Sequence, residues 1–242
     1  MEKQKRKKRL WLFLPPAILL LLLAVILIYF GVYYHASPEA EEALQGSGTV
    51  KVEKTAYGWW FDGPSETDAL IFYPGAKVEE TAYAPFLRCL AEKGVDVCLV
   101  RMPLRFAILG IGKADTVMAA HSYDHWYIGG HSLGGAMAAV YAASHPEPEG
   151  VVLCAAYPTR PLDREDIEVL VYGSEDRVVN RDRILEGRQY ASDRIYEWEI
   201  PGGNHAQFGN YGKQAGDGTA SIPASVQQER AAEYILEALR RG

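Results

Sequence analysis

The sequence predicts an α/β domain, a mostly parallel sheet with helices on both faces, preceded by one N-terminal transmembrane helix. Three observations predict it. Strand-like and helix-like segments alternate from residue 69 to the C-terminus, the pattern of parallel strands joined by helical crossovers. The run Leu10–Tyr34 holds 25 residues without a charge, and about 20 apolar residues cross the hydrocarbon core as an α-helix. Finally, the strand pattern Trp126–Ile128 runs through Gly129-Gly130 into a helix pattern of small apolar residues, 134–145.

The N-terminal segment reads as an uncleaved anchor. Residues 1–9 carry Lys3, Lys5, Arg6, Lys7, Lys8 and Arg9 against a single Glu2. The positive-inside rule keeps that tail in the cytoplasm, so the remainder is expected on the extracytoplasmic side of the cell membrane. A cleaved signal peptide is the competing reading. The apolar stretch is long for that, and Tyr34-His35-Ala36 lacks the small residue that a cleavage site wants. Residues 10–34 are therefore assigned to the anchor, 35–48 to a juxtamembrane linker with solvated acids and flexible glycines, and 49–242 to the folded domain.

Within the domain, residues 49–55 alternate apolar and charged side chains as a half-exposed strand does, and 57–61 supply its antiparallel partner. Buried strands follow at 69–73, 95–100, 151–155 and 167–172, with a last strand at 194–200. Helices are expected at 81–93, closed by Gly94, and at 112–121, 134–145, 180–190 and 226–241. The formal net charge is −6, and with +5 in residues 1–9 the rest carries −11. Such an acidic domain gives no reason to expect a nucleic-acid partner. Cys89, Cys98 and Cys154 lie in apolar stretches without metal spacing. They read as free thiols, with a Cys89–Cys98 bridge as the rival.

The chemistry-bearing residues cluster after strands. Gly130-His131-Ser132-Leu133-Gly134 is a Gly-x-Ser-x-Gly turn between a strand and a helix. A turn so tight strains the serine backbone and presents its hydroxyl at the strand's carboxyl end. Ser132 is the candidate nucleophile, and a neutral serine needs a base. His205, in the loop Pro201-Gly202-Gly203-Asn204-His205, is the candidate. His131 flanks the serine with its side chain expected to point away, and His35, His121, His125 and His145 lie in poorer places. An acid must orient the imidazole. Asp176 follows the strand 167–172, with Glu175 beside it as the rival. Two backbone donors are needed for an oxyanion: the Leu133 N–H, and one from Pro74-Gly75-Ala76-Lys77, where Ala76 is preferred and Lys77 is the alternative.

Tyr73-Pro74-Gly75-Ala76, Gly130-His131-Ser132-Leu133-Gly134, Gly173-Ser174-Glu175-Asp176 and Gly203-Asn204-His205 resemble, in order and spacing, the α/β-hydrolase superfamily, most closely its small bacterial dienelactone-hydrolase-like members. The resemblance covers roughly residues 50–242. It implies the α/β-hydrolase fold, a triad at the carboxyl edge of the sheet, and neither metal nor cofactor. A dienelactone hydrolase proper uses a cysteine where this chain has Ser132. The expected function is thus a membrane-anchored serine hydrolase, carboxylesterase-like, acting on a small-molecule ester or thioester through an acyl-enzyme. An acyltransferase with the same triad, or a catalytically silent binding domain on this fold, are the alternatives. Few residues separate the strands at 151–155 and 167–172, which leaves no room for a large cap, so an open site lined by Tyr157, Phe106, Phe208 and Tyr211 and a preference for short acyl groups are expected.

Overall fold

A computed structural model describes residues 2–241, with the side chains of residues 2–15 and 17 outside the description. The chain divides into two units between Tyr33 and Tyr34. The first is a single helix, α1 (Glu2–Gly31). Its described apolar side chains face outward; Leu19, Leu20, Leu21 and Leu27 are each 64–67% exposed. Among the described residues no helix is long and apolar enough to cross a membrane. Of the predicted span Leu10–Tyr34, the side chains of residues 10–15 and 17 lie outside the description. The helix stops at Gly31, and Tyr34 already belongs to the second unit.

The second unit runs α2 (Pro38–Ala43), β1 (Lys51–Lys54), β2 (Gly58–Asp62), β3 (Asp68–Tyr73), α3 (Ala84–Glu92), β4 (Asp96–Val100), α4 (Lys113–Met118), β5 (His125–His131), α5 (Leu133–Ala142), β6 (Pro148–Cys154), β7 (Ile167–Gly173), α6 (Arg181–Gly187), β8 (Arg194–Ile200) and α7 (Ala224–Leu239). The eight strands form one sheet in the order β1-β2-β4-β3-β5-β6-β7-β8. β1–β2 and β2–β4 pair antiparallel, and every other pair is parallel. All five residues of β4 and nearly all of β7 are buried, as expected where helices cover both faces.

The register places the site. Tyr73 lies opposite Gly130, His131 opposite Cys154, and Gly173 opposite Ile200. The carboxyl ends of β3, β5, β7 and β8 therefore finish along one edge, the edge where open α/β sheets bind ligands.

Three elements depart from expectation for local reasons. The helix predicted at 81–93 begins as a 3₁₀ turn, Glu80–Tyr83, and becomes α-helical only at Ala84. Pro85, without an N–H, is tolerated only in the first turn of the α-helix. The strand predicted at 126–128 extends to His131, because Gly129 and Gly130 pair with Val152 and Leu153. A Cβ on Gly129 would lie 2.5 Å from the Val152 carbonyl oxygen.

Residues 35–48, predicted as a flexible linker, are folded onto the domain. Ser37 caps α2 by accepting from the Ala40 N–H, and Ala40 and Ala43 are buried while the acids between them face out. Tyr34 donates to the Lys77 carbonyl at 2.8 Å and accepts from the Glu79 N–H at 2.8 Å. The Ser37 N–H donates to the Asn210 carbonyl at 2.7 Å. Two alanines in an acidic run are too weak a signal to announce one packed turn.

All three cysteines are free, so the Cys89–Cys98 bridge does not form. Cys98 and Cys154 are buried, which pushes their thiols well above the ordinary range.

Glu168 sits fully buried in β7. One carboxylate oxygen accepts from the Ser192 N–H at 3.0 Å, and the other has no partner among the described residues. Burial pushes its pKa from 4.5 up to about 7. A carboxyl whose pKa is raised on folding costs stability as the pH climbs from 4.5 through 7, with no cost below 4.5 and the full cost above 7. One pH unit corresponds to about 1.4 kcal/mol, so the penalty approaches about 3 kcal/mol. Glu168→Gln is expected to be more stable than the parent at pH 8 and to lose that advantage near pH 4.5. Urea unfolding at the two pH values checks this; an advantage that does not grow with pH would contradict it.

Candidate active site

The turn after β5 holds Ser132 at φ 54°, ψ −124°, a region costly for a residue with a Cβ. The strain is tolerated because the surrounding backbone closes on it. A Cβ on Gly134 would lie 2.1 Å from the Tyr73 carbonyl oxygen and 2.5 Å from that of Pro74. A Cβ on Gly130 would lie 2.4 Å from the same Tyr73 oxygen. Only glycine lets this turn press against the end of β3. The Ser132 N–H donates to the Cys154 carbonyl at 2.9 Å, which ties the turn to β6. Leu133 is the first residue of α5, so its N–H has no partner within the helix and sits at the positive end of the helix dipole.

Asp176 and His205 meet. Asp176 Oδ2 lies 2.8 Å from His205 Nδ1, and both side chains are almost completely buried. The other carboxylate oxygen accepts the Val178 and Val179 N–H groups, each at 2.8 Å. These two bonds fix the direction of the carboxylate. Glu175, the rival acid, turns instead toward Ser174, whose hydroxyl donates to it at 3.3 Å. With Nδ1 donating to a carboxylate, the imidazole keeps its lone pair on Nε2. That atom is buried and has no hydrogen-bond partner among the described residues. His205 and Ser132 line the same pocket of about 240 Å³.

Ala76 lies in the turn after β3, between two committed neighbours. The Gly75 N–H donates to the Tyr83 hydroxyl at 3.0 Å, and the Lys77 N–H donates to the Arg105 carbonyl at 3.0 Å. Lys77, the alternative oxyanion donor, is thereby removed from that role. The Ala76 N–H has no such bond among the described residues.

Apart from Asn180, the rest of the pocket is formed by Leu133, Ala136, Ala155, Ala156, Tyr157, Val178 and Val179. Tyr157 lines it as expected; Phe106, Phe208 and Tyr211 do not. Phe208 is fully buried and packs on His131 and Phe86, while Tyr211 packs on Tyr83 and Tyr34.

Several residues around the site carried no signal in the sequence. Asp217 accepts the His205 N–H at 3.3 Å, the Ala206 N–H at 2.9 Å and, more weakly, the Arg177 N–H at 3.4 Å. One carboxylate thus ties the loop of His205 to the loop of Asp176. Gln227 of α7 pairs with both backbone groups of Asn204, accepting at 2.9 Å and donating at 2.7 Å. His131, expected to turn its side chain away from the reacting bond, is held in the interior. It is buried, its ring centre is 4.4 Å from that of His205, and its Nδ1 lies 2.8 Å from the Tyr83 hydroxyl.

The comparisons with known proteins agree with this geometry at the level of the fold. No curated protein matches the chain by sequence. Among solved structures the chain is similar to a carboxylesterase from Bacillus subtilis, with a TM-score of 0.56 and 11% identity over 84% of this chain and 95% of that one. It is also similar to the esterase domain of a Rhodothermus marinus protein, with a TM-score of 0.57 and 15% identity over 79% and 98%. A dienelactone hydrolase from Anabaena variabilis gives a TM-score of 0.51 and 14% identity over 78% and 98%. The sequence signature of the alpha/beta hydrolase family matches residues 69–229. That match spans more than half of the chain, from β3 into α7, and the chain belongs to the alpha/beta hydrolase family.

Proposed function

We propose that this hydrolase is a membrane-anchored serine esterase that cleaves a small ester or thioester through an acyl-enzyme. The observation that carries the reading is the buried 2.8 Å contact between His205 Nδ1 and Asp176, with the imidazole Nε2 unpartnered among the described residues in a pocket shared with Ser132. Ser132 Oγ attacks the acyl carbonyl as its proton passes to His205 Nε2. The Leu133 and Ala76 N–H groups hold the oxyanion so formed. His205 then gives the proton to the leaving oxygen or sulfur, the bond to the leaving group breaks, and the acyl group stays on Ser132. Water, deprotonated by His205, repeats the sequence and frees the acid. Asp176 holds the imidazole in the required tautomer and stabilises its cation throughout. The small apolar pocket favours short acyl groups.

The anchor is α1. Its support is the uncharged run Leu10–Tyr34 behind six basic residues and the outward-facing leucines of its described part. The catalytic unit then lies on the extracytoplasmic side.

One experiment addresses both halves. Membranes carrying the full chain are washed with alkaline carbonate and labelled with a fluorophosphonate probe, and p-nitrophenyl esters of increasing acyl length are assayed on the same fraction. The expected result is a labelled band that stays with the membranes and hydrolysis that favours short esters. Labelling confined to the soluble wash would overturn the anchor alone. Folded protein that neither labels nor hydrolyses any ester would overturn the esterase.

A further inference from the structure

We propose that Tyr83 is a positioning residue for the oxyanion turn, with His131 setting the direction of its hydroxyl; the proposal rests on the esterase reading of Ser132. Tyr83 and His131 are buried and lie on different elements, one in the 3₁₀ turn before α3 and the other at the end of β5. Both converge on Gly75. A Cβ there would lie 2.8 Å from the Tyr83 hydroxyl oxygen and 2.9 Å from His131 Nδ1. Gly75 is therefore required for close approach, and what approaches is polar.

One direction of the hydrogen bonds uses both the Gly75 N–H and the Tyr83 hydroxyl proton. The Gly75 N–H can only donate, and it donates to the Tyr83 oxygen at 3.0 Å. The single hydroxyl proton is then left for His131 Nδ1 at 2.8 Å. In that direction His131 accepts, neutral, with its proton on Nε2, a buried atom without a hydrogen-bond partner among the described residues. Its surroundings agree: burial and the neighbouring His205 push it well below its ordinary pKa. The chain from Gly75 to Tyr83 to His131 thus ends in an uncharged ring packed against the base, 4.4 Å between ring centres.

The consequence falls on Ala76. Its N–H is the one left over between two that are tied down, Gly75 to Tyr83 and Lys77 to Arg105. Fixing both neighbours fixes the peptide plane that carries the Ala76 N–H. The donor is then aimed before substrate arrives, which is the condition for it to act on a developing charge. A phenylalanine at 83 would fill the same space and leave the Gly75 N–H without its acceptor.

Tyr83→Phe tests the proposal, with rates taken per active site as titrated by the fluorophosphonate probe. The expected result is a fall in kcat of about 10- to 100-fold with KM within about twofold. A boronic acid that mimics the tetrahedral adduct should lose affinity by a similar factor, and the pH profile should keep its shape because His205 and Asp176 are untouched. Loss of packing alone would lower the number of titrated sites and leave the rate per site in place. Should Tyr83→Phe not fold, His131→Asn and His131→Leu decide the matter, since asparagine keeps an acceptor for the Tyr83 hydroxyl. Asparagine should retain more kcat per site than leucine at the same KM. Near-parental kcat in Tyr83→Phe, a loss carried by KM, or equal rates in the two His131 variants would overturn the positioning role. Parental protein that takes up no probe would instead overturn the esterase reading itself.

Discussion

Ser132→Ala is expected to lower kcat by about a millionfold, the scale at which loss of the nucleophile acts in a serine hydrolase. The variant should fold. Alanine removes one oxygen and keeps the Cβ that the φ of 54° already accommodates, and the Ser132 N–H bond to Cys154 involves only the main chain. Residual hydrolysis, about 10³-fold above water, would come from the oxyanion donors and the pocket. Fluorophosphonate labelling should vanish with the hydroxyl. Ester hydrolysis retained within tenfold in Ser132→Ala would mean that another group attacks, and the proposed mechanism would fall with it.

Asp176→Asn is expected to cost about 10⁴-fold in kcat with little change in KM. The reason lies in how the carboxylate is held. Oδ1 accepts two N–H groups, from Val178 and Val179, and Oδ2 meets His205 Nδ1. An asparagine satisfies the two valine N–H groups with its carbonyl oxygen, so the loop keeps its shape. Its amide nitrogen must then face His205 Nδ1. The imidazole can only answer by accepting there, which moves its proton to Nε2 and removes the lone pair that Ser132 needs. Geometry survives while the tautomer is wrong. Steady-state kinetics beside thermal unfolding separates these effects: a stable, slow enzyme is the expected result, and a fast one would show that Asp176 does not set the tautomer.

The sheet and the loops that build the site were legible because they obey short-range rules. Gly130 and Gly134 bracket Ser132 in a pattern that only a tight strand-to-helix turn requires; Asp176 follows an apolar run and His205 a mixed run, Arg194–Ile200, both recognisable as strands. What stayed hidden acts through main-chain groups distant in sequence. Tyr83 sits in what reads as an ordinary helix, and nothing nearby announces that its hydroxyl meets the Gly75 N–H. Asp217 lies in a glycine-rich loop, and its partners include the N–H groups of His205 and Ala206. Glu168 is visible as a charge within an apolar run, yet the Ser192 N–H that receives it lies 24 residues away. Side-chain periodicity reports which face a residue occupies; it carries no information about which peptide N–H a folded loop will present to it. Residues 35–48 failed differently, since a helix of one and a half turns has too few apolar positions to establish a period.

The stitching of Tyr34 has a mechanical consequence. The first residue of the catalytic unit is bonded through its own N–H and carbonyl to Lys77 and Glu79, immediately beyond the turn that carries Ala76. A load applied to the chain at residue 33 would be borne first by those two bonds. Cutting the polypeptide at residue 49, where its regular alternation begins, would strip away the strut that braces this corner; a cut just ahead of Tyr34 would leave it standing.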